Sequence, residues 1–372
     1  MEEQERQLTE EQAEPKLLYH YTTQQGLLGI LNNQCIWATH IRYLNDSSEY
    51  SHGLQIVRAL VDEIDFKIDL MPEISNEETT REMGNRVKTL LRDALLGASS
   101  LPVFVASFFE SNEVGMSSQK HDPGDVLEQW RAYSGGSAGF SIGFDRELLS
   151  KYVTDSGESD LSPMMATSCI YDQRVQREYL RHRVDDVGPA ISTHLNPIFE
   201  QFVAKRLPEI LRESLADLAN ADRSTPEQIK ELFLERLTLE ATNAFKVGRA
   251  DFSSAMLSCV SKLLLPPAFM KGSAFSGEHE WRIISLRGDA FNDVQFRPGK
   301  SGLIPYIAIP LPIINRDGTS LIRRVVVGPS RETENAVLAV KLLLSSKGAT
   351  IAGEDGKGGI EIVTSKIPFR DW

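Results

Sequence analysis

The chain has 372 residues, enough for one large domain or two ordinary ones, and 41% of them are hydrophobic, enough to bury a core. Its 52 acidic against 40 basic side chains give a formal net charge of -12, which argues against avid, nonspecific binding of duplex nucleic acid but leaves room for a local basic site. There is no apolar run of the roughly 18 residues that a membrane-crossing helix needs, and Cys35, Cys169 and Cys259 are too scattered for a disulfide framework or a metal-ligand spacing.

Residues 1–15 are acidic and glutamine-rich, without apolar periodicity, which predicts a disordered or frayed lead-in. That pattern is the opposite of a signal peptide, so a cytoplasmic protein without membrane association is expected. Leu17 to Tyr21 reads as a strand, and Thr22-Thr23-Gln24-Gln25 as a capping box with Thr22 at the N-cap of a short helix. Cys35 to Thr39 predicts a second strand, and Asp46 with Glu49 a second helix start. The apolar positions Leu54, Val57, Val61 and Ile64 and then Val87, Leu90, Leu91 and Leu95 recur at helical spacing. Pro102 to Phe108 predicts a buried strand and Asp125 to Tyr133 a short helix ended by Gly135-Gly136. Strands follow over Ala138 to Phe144 and Met165 to Tyr171.

From Asp172 to Leu265 the character changes to few glycines, many charges and helical repeats such as Leu207, Ile210, Leu211, Leu215 and Leu218. This reads as a helical insertion that could cover a cleft or meet a protein partner, ended by Pro266-Pro267. Strands return over Trp281 to Leu286, Ile304 to Ile309 and Arg324 to Val327, a helix spans about Arg331 to Ser346, and Ile360 to Ile367 predicts a last strand. The expected fold is therefore α+β. Its core is divided into residues 16–171 and 266–372 by the insertion at 172–265, because strands and long helices do not alternate in strict βαβ order.

Three stretches could carry chemistry. His20, at a strand end before the hydroxyl of Thr22, suits a ribose hydroxyl; taken by itself the tetrapeptide is more plainly a structural histidine and a helix cap. Tyr43, followed by Asn45 and Asp46, could stack on a planar ligand, or could simply precede a capped turn. Glu278 and Glu280 open a late strand, where alternation points both to one side. Such carboxylates suit a reaction through a cationic sugar, and equally suit a solvated strand end paired with Arg282. The histidines do not cluster as metal ligands, and no P-loop, GxSxG or GxGxxG is present.

Leu18-Tyr19-His20-Tyr21-Thr22, Trp37-Ala38-Thr39, Tyr43-Leu44-Asn45-Asp46, Ser107-Phe108, Gln129-Trp130-Arg131-Ala132-Tyr133, Glu280-Trp281-Arg282, Val327-Gly328-Pro329 and Ser365 to Arg370 together resemble the bacterial domain of unknown function 2971 family. A weaker resemblance is to ADP-ribosyltransferases of the histidine-tyrosine-glutamate class. That resemblance implies a split β-sheet cleft that grips NAD as substrate. On it, His20 and Thr22 would hold NAD, Tyr43 would stack on nicotinamide with Tyr21 as a competitor, and Glu280 would support an oxocarbenium-like transition state. Ser107 is similar to the serine of the arginine-serine-glutamate class, and Arg131 and Arg282 would suit the pyrophosphate. The implied activity is an NAD-consuming transferase or glycohydrolase, possible as a toxin or phage-defence effector, with a protein, nucleic acid or small molecule as acceptor. Two other readings stay open: a magnesium-dependent nucleotide or nucleic-acid hydrolase using Asp46, Glu278 and Glu280, and a non-enzymatic module that binds a partner through the insertion.

Overall fold

The structure is a computed structural model that describes residues 16–44, 47–66, 77–98, 102–110, 122–135, 138–156, 163–193, 259–287, 293–299, 302–314, 320–353 and 358–368, with a few single positions between 197 and 213. The lead-in, Asn45, Asp46 and the periodic leucines of the insertion lie outside the described residues. The chain divides into two compact units. One holds Met1–Ser47, Pro102–Tyr171 and Phe269–Trp372; the other holds Ser48–Leu101 and Asp172–Ala268. The sequence reading did not foresee this grouping of residues 48–101 with the helical segment that begins at Asp172.

The first unit is mixed α+β, built on a ten-stranded, largely open sheet. In chain order its elements are β1 (Leu17–Thr22), α1 (Gln24–Asn33), β2 (Cys35–His40), β3 (Val103–Glu110), β4 (Phe140–Asp145), β5 (Met164–Ser168), β6 (Glu280–Leu286), β7 (Gln295–Pro298), β8 (Leu303–Pro310), β9 (Ile322–Val327) and β10 (Glu361–Thr364). The remaining helices of this unit are Leu127–Tyr133, Arg146–Ser156 and Thr333–Ser346. The short β7 and the helix over Arg146–Ser156 were not foreseen. Among the described strands only β9 and β10 pair in parallel, and the helix Thr333–Ser346 makes the crossover that a parallel pair requires. The N-cap of α1 is Thr23 and not Thr22: the Thr23 hydroxyl accepts from the Gly26 amide, while Thr22 is still a strand residue opposite Phe140. The shift follows from pairing, because β1 stays bonded to β4 one residue longer than the cap pattern alone suggests.

The sheet forks at β3. One edge of β3 is taken along nearly its whole length by β6, from Val103 opposite Leu286 to Phe109 opposite Glu280. A strand edge accepts one neighbour at any point, so β1 and β2 must share the other edge. β2 pairs near its start, Thr39 with Val105 and His40 with Phe104. β1 pairs at its end, Tyr19 with Phe109 and Leu18 with Glu110. β1 then leads through β4 and β9 to β10, and β2 through β8 to β7, while β6 carries β5.

Alternation assigns each side chain to a face. The larger core lies on one face and contains Leu18, Phe104, Phe108, Ile142, Phe144, Trp281 and Ile283, covered by Leu27, Ile30 and Leu31 of α1. The opposite face carries a smaller aromatic cluster of Tyr19, Tyr21, Phe109 and Trp130. Burial on both faces explains why β3 reads as a continuous apolar run. It also makes β6 informative, because Glu280, Arg282 and Ser285 are polar and the strand is buried throughout.

The second unit is described through α-helices Ser47–Glu63, Glu77–Ala98 and Gln173–Asp185. Leu54, Val57 and Val61, and Val87, Leu91 and Leu95, are buried as the periodicity predicts. Glu63 bonds both Arg177 and Arg181, tying the helix at 173–185 to the one at 47–63. All three cysteines are buried free thiols, as their apolar neighbours suggest. Among the described residues no helix is long and apolar enough to cross a membrane.

Candidate functional site

His20 stands at the fork. It lies opposite Ile142 on the face of the larger core, with its ring tilted 5.6 Å from that of Phe108. Its Nδ1 is 3.0 Å from the Ser107 carbonyl, on the stretch of β3 between the β2 and β1 pairings. A carbonyl can only accept, so Nδ1 carries the proton and Nε2 keeps its lone pair. Burial holds the imidazole below its ordinary pKa against the opposing pull of the Ser107 bond, which keeps it neutral. A half-buried neutral histidine fixed in one tautomer is a ready acceptor for a hydroxyl.

His40 ends β2 on the same face, with its ring edge-on to Phe104 at 5.4 Å. Its Nδ1 accepts from the Arg42 amide and so caps the turn Ile41–Tyr43. Tyr43 is 51% exposed in that turn, and its ring meets His40 edge-on at 5.8 Å. The structure therefore connects Tyr43 to the fork through His40, a residue that no sequence motif singled out. A histidine at the end of a strand that alternates in step with His20 was the signal available.

Glu280 is placed differently. It lies opposite Phe109, on the face away from His20, and only 4% of it is exposed. Arg282 reaches it twice, Nε to Oε1 at 2.8 Å and Nη2 to Oε2 at 2.9 Å. Lys271 Nζ adds 2.9 Å to Oε2 and also holds Glu278 at 2.6 Å. The Tyr171 hydroxyl accepts from the Glu280 amide. Burial alone would raise the Glu280 carboxyl, but Arg282, Lys271 and the Ser107 hydroxyl outweigh it and hold the pKa near about 2. Burial likewise opposes the charge on Lys271, and Glu280 and Glu278 more than restore it. Among the described residues two cations, Lys271 and Arg282, and two carboxylates, Glu278 and Glu280, thus meet in one buried cluster.

The expected catalytic set is thus not assembled on one face. His20 and Tyr43 belong to the fork, and Glu280 sits behind it. Ser107 is shared, since its carbonyl takes His20 and its hydroxyl reaches Glu280. Arg282, buried, gives its Nε and Nη2 to Glu280. Arg131 is exposed on the helix Leu127–Tyr133. Glu278 and Glu280 do converge, but not by strand alternation. Glu278 ends a 3-10 helix, His279 turns through the left-handed region at φ 43, and only Glu280 begins the strand.

Tyr21 is also not a free stacking residue. It is buried edge-on to Trp130, and its hydroxyl donates to the Pro123 carbonyl at 2.6 Å and accepts from the Val126 amide. Several stretches that looked like separate motifs meet here. Asp125 accepts from the Trp130 indole, the Ser365 hydroxyl and the Lys366 amide, clasping residues 365–367 onto the aromatic cluster. Trp130 in turn packs against Gly328, where any Cβ would approach its ring to 2.9 Å. Asp125 stands just outside the tryptophan motif, and nothing local marks it as the hub. Among the described residues no group of three or more His, Cys, Asp or Glu is arranged to hold a metal ion, and Asp46 lies outside them.

No curated protein and no solved structure matches the chain. Residues 129–283, which span Trp130, Lys271, Glu280 and Arg282, match the family described as "Protein of unknown function (DUF2971)".

Proposed function

We propose that the chain takes up a nucleotide of the NAD type at the fork between β1 and β2 and acts on it as an ADP-ribosyltransferase-like, NAD-consuming enzyme. The observation that carries this reading is His20, held neutral on the Ser107 carbonyl with Nε2 as acceptor at the point where two strands part. The two strands separate beside His20, and a ribose hydroxyl is a partner that such a nitrogen recognises. Tyr43, exposed and adjoining His40, supplies an aromatic face for the planar end of the ligand. In this reading Glu280 is a fixed counter-ion behind the fork that positions Ser107, and through it His20, rather than a group in contact with the sugar. The acceptor is a protein, a nucleic acid, a small molecule or water, and a toxin or phage-defence role follows if cellular NAD is the target.

The test is NAD titration by calorimetry and NAD turnover by chromatography on the full chain, with His20→Ala beside it. The wild type is expected to bind NAD, and the variant, still folded by circular dichroism, to bind at least about ten-fold more weakly, the loss of one hydrogen bond. A wild-type chain that neither binds nor consumes NAD ends this reading.

A further inference from the structure

The two histidines of the fork face their ligand with opposite hydrogen-bond polarity, and the backbone imposes it. His20 gives its Nδ1 proton to the Ser107 carbonyl, so its Nε2 accepts. His40 takes the Arg42 amide on Nδ1, which leaves the proton on Nε2 as a donor. Both residues are of intermediate burial, both lie on the same face of the sheet, and they stand on the two strands that part at β3. Phe104 and Phe108, against which they rest, are four residues apart, about 13 Å along a strand. Between them on that face comes Ala106, the smallest side chain available without losing strand character. Neither histidine makes a further hydrogen bond to a described residue.

We infer that His40 is a second ligand-contacting residue of the fork, and that His20 and His40 act as a spaced acceptor and donor that read a neutral nucleoside moiety, a ribose hydroxyl at His20 and a base or carboxamide acceptor atom at His40. The inference rests on the fork being the nucleotide site. Two neutral imidazoles do not form a phosphate cradle, which calls for cationic or backbone N–H donors throughout.

The test separates the donor role of His40 from its capping role. His40→Asn keeps an acceptor for the Arg42 amide and retains an N–H donor; His40→Asp keeps the acceptor and has no donor. With NAD as the probe and the full chain in each case, the Asn variant is expected to bind within about three-fold of the wild type and the Asp variant at least about ten-fold more weakly, at matched melting temperatures. Equal binding by the two variants overturns the inference, whichever way both move. If His20→Ala loses NAD while His40→Asp keeps it, the fork reading stands and the pair falls. If the wild type binds no NAD, both fall together.

Discussion

Replacing Glu280 with glutamine tests whether the buried ion cluster is structural. The amide keeps the shape of the carboxylate but not its charge, and it takes the Glu280 charge away from the buried Arg282. Removing one partner of a buried pair costs about 3–5 kcal/mol, because the surviving charge loses its compensation and cannot regain water. Lys271 keeps Glu278 as a partner, which sets the expected loss at the lower end, about 3 kcal/mol. At about 2–4 °C per kcal/mol for a unit of this size, the melting temperature should fall by about 6–12 °C. Urea unfolding followed by circular dichroism reads the first quantity and a thermal scan the second. The double variant Glu280→Leu with Arg282→Met should recover most of the loss, since an apolar pair of similar volume removes the charges together. A Glu280→Gln variant within about 0.5 kcal/mol of wild type, within the range of an ordinary surface change, would refute the structural assignment. If NAD turnover were abolished in that same variant, the carboxylate would belong to the chemistry.

The same cluster sets an acid limit. The Glu280 pKa is about 2 in the folded chain against an ordinary 4.5, so its contribution is fully present above 4.5 and is lost as the pH falls through 2. Wild type should therefore lose urea resistance between those values more steeply than Glu280→Gln, and parallel curves would contradict it. Asp125→Ala should cost roughly 1.5–3 kcal/mol by stranding the Trp130 indole and freeing the Ser365 clasp. Limited trypsin digestion should then cut after Lys366 faster than in wild type, and an unchanged cleavage rate would show that the clasp holds nothing. Gly328→Ala should destabilise by about 1–3 kcal/mol, because its Cβ would lie 2.9 Å from both the Gly139 carbonyl and the Trp130 ring; an unchanged melting temperature would mean that this contact relaxes freely.

Most strands and helices were legible because their signal is local. Val103 to Phe109 could be little else than a doubly buried strand, and Val337, Val340 and Leu344 recur at helical spacing whatever they pack on. Where local signals misled, a pairing overrode them: Thr22 has the chemistry of a cap, yet its bonds to β4 keep it in the strand and pass the cap to Thr23. β7 escaped because a four-residue edge strand with exposed Phe296 shows no burial pattern to read.

The sequence by itself determined that the chain builds an α+β core, that His20 lies in its first strand shortly before a helix start, and that a glutamate opens a late buried strand. Only the tertiary structure decided what these residues do. Register put His20 and Glu280 on opposite faces, and a shift of one residue in either strand would have reversed that. Distant contacts also brought His40 to the fork and Ser365 to Asp125. Whether a buried polar side chain is a catalytic group or a counter-ion depends on which charges neutralise it. For Glu280 those partners are near in the chain, Arg282 two residues on and Lys271 nine before, but it is pairing with β3 that buries them together.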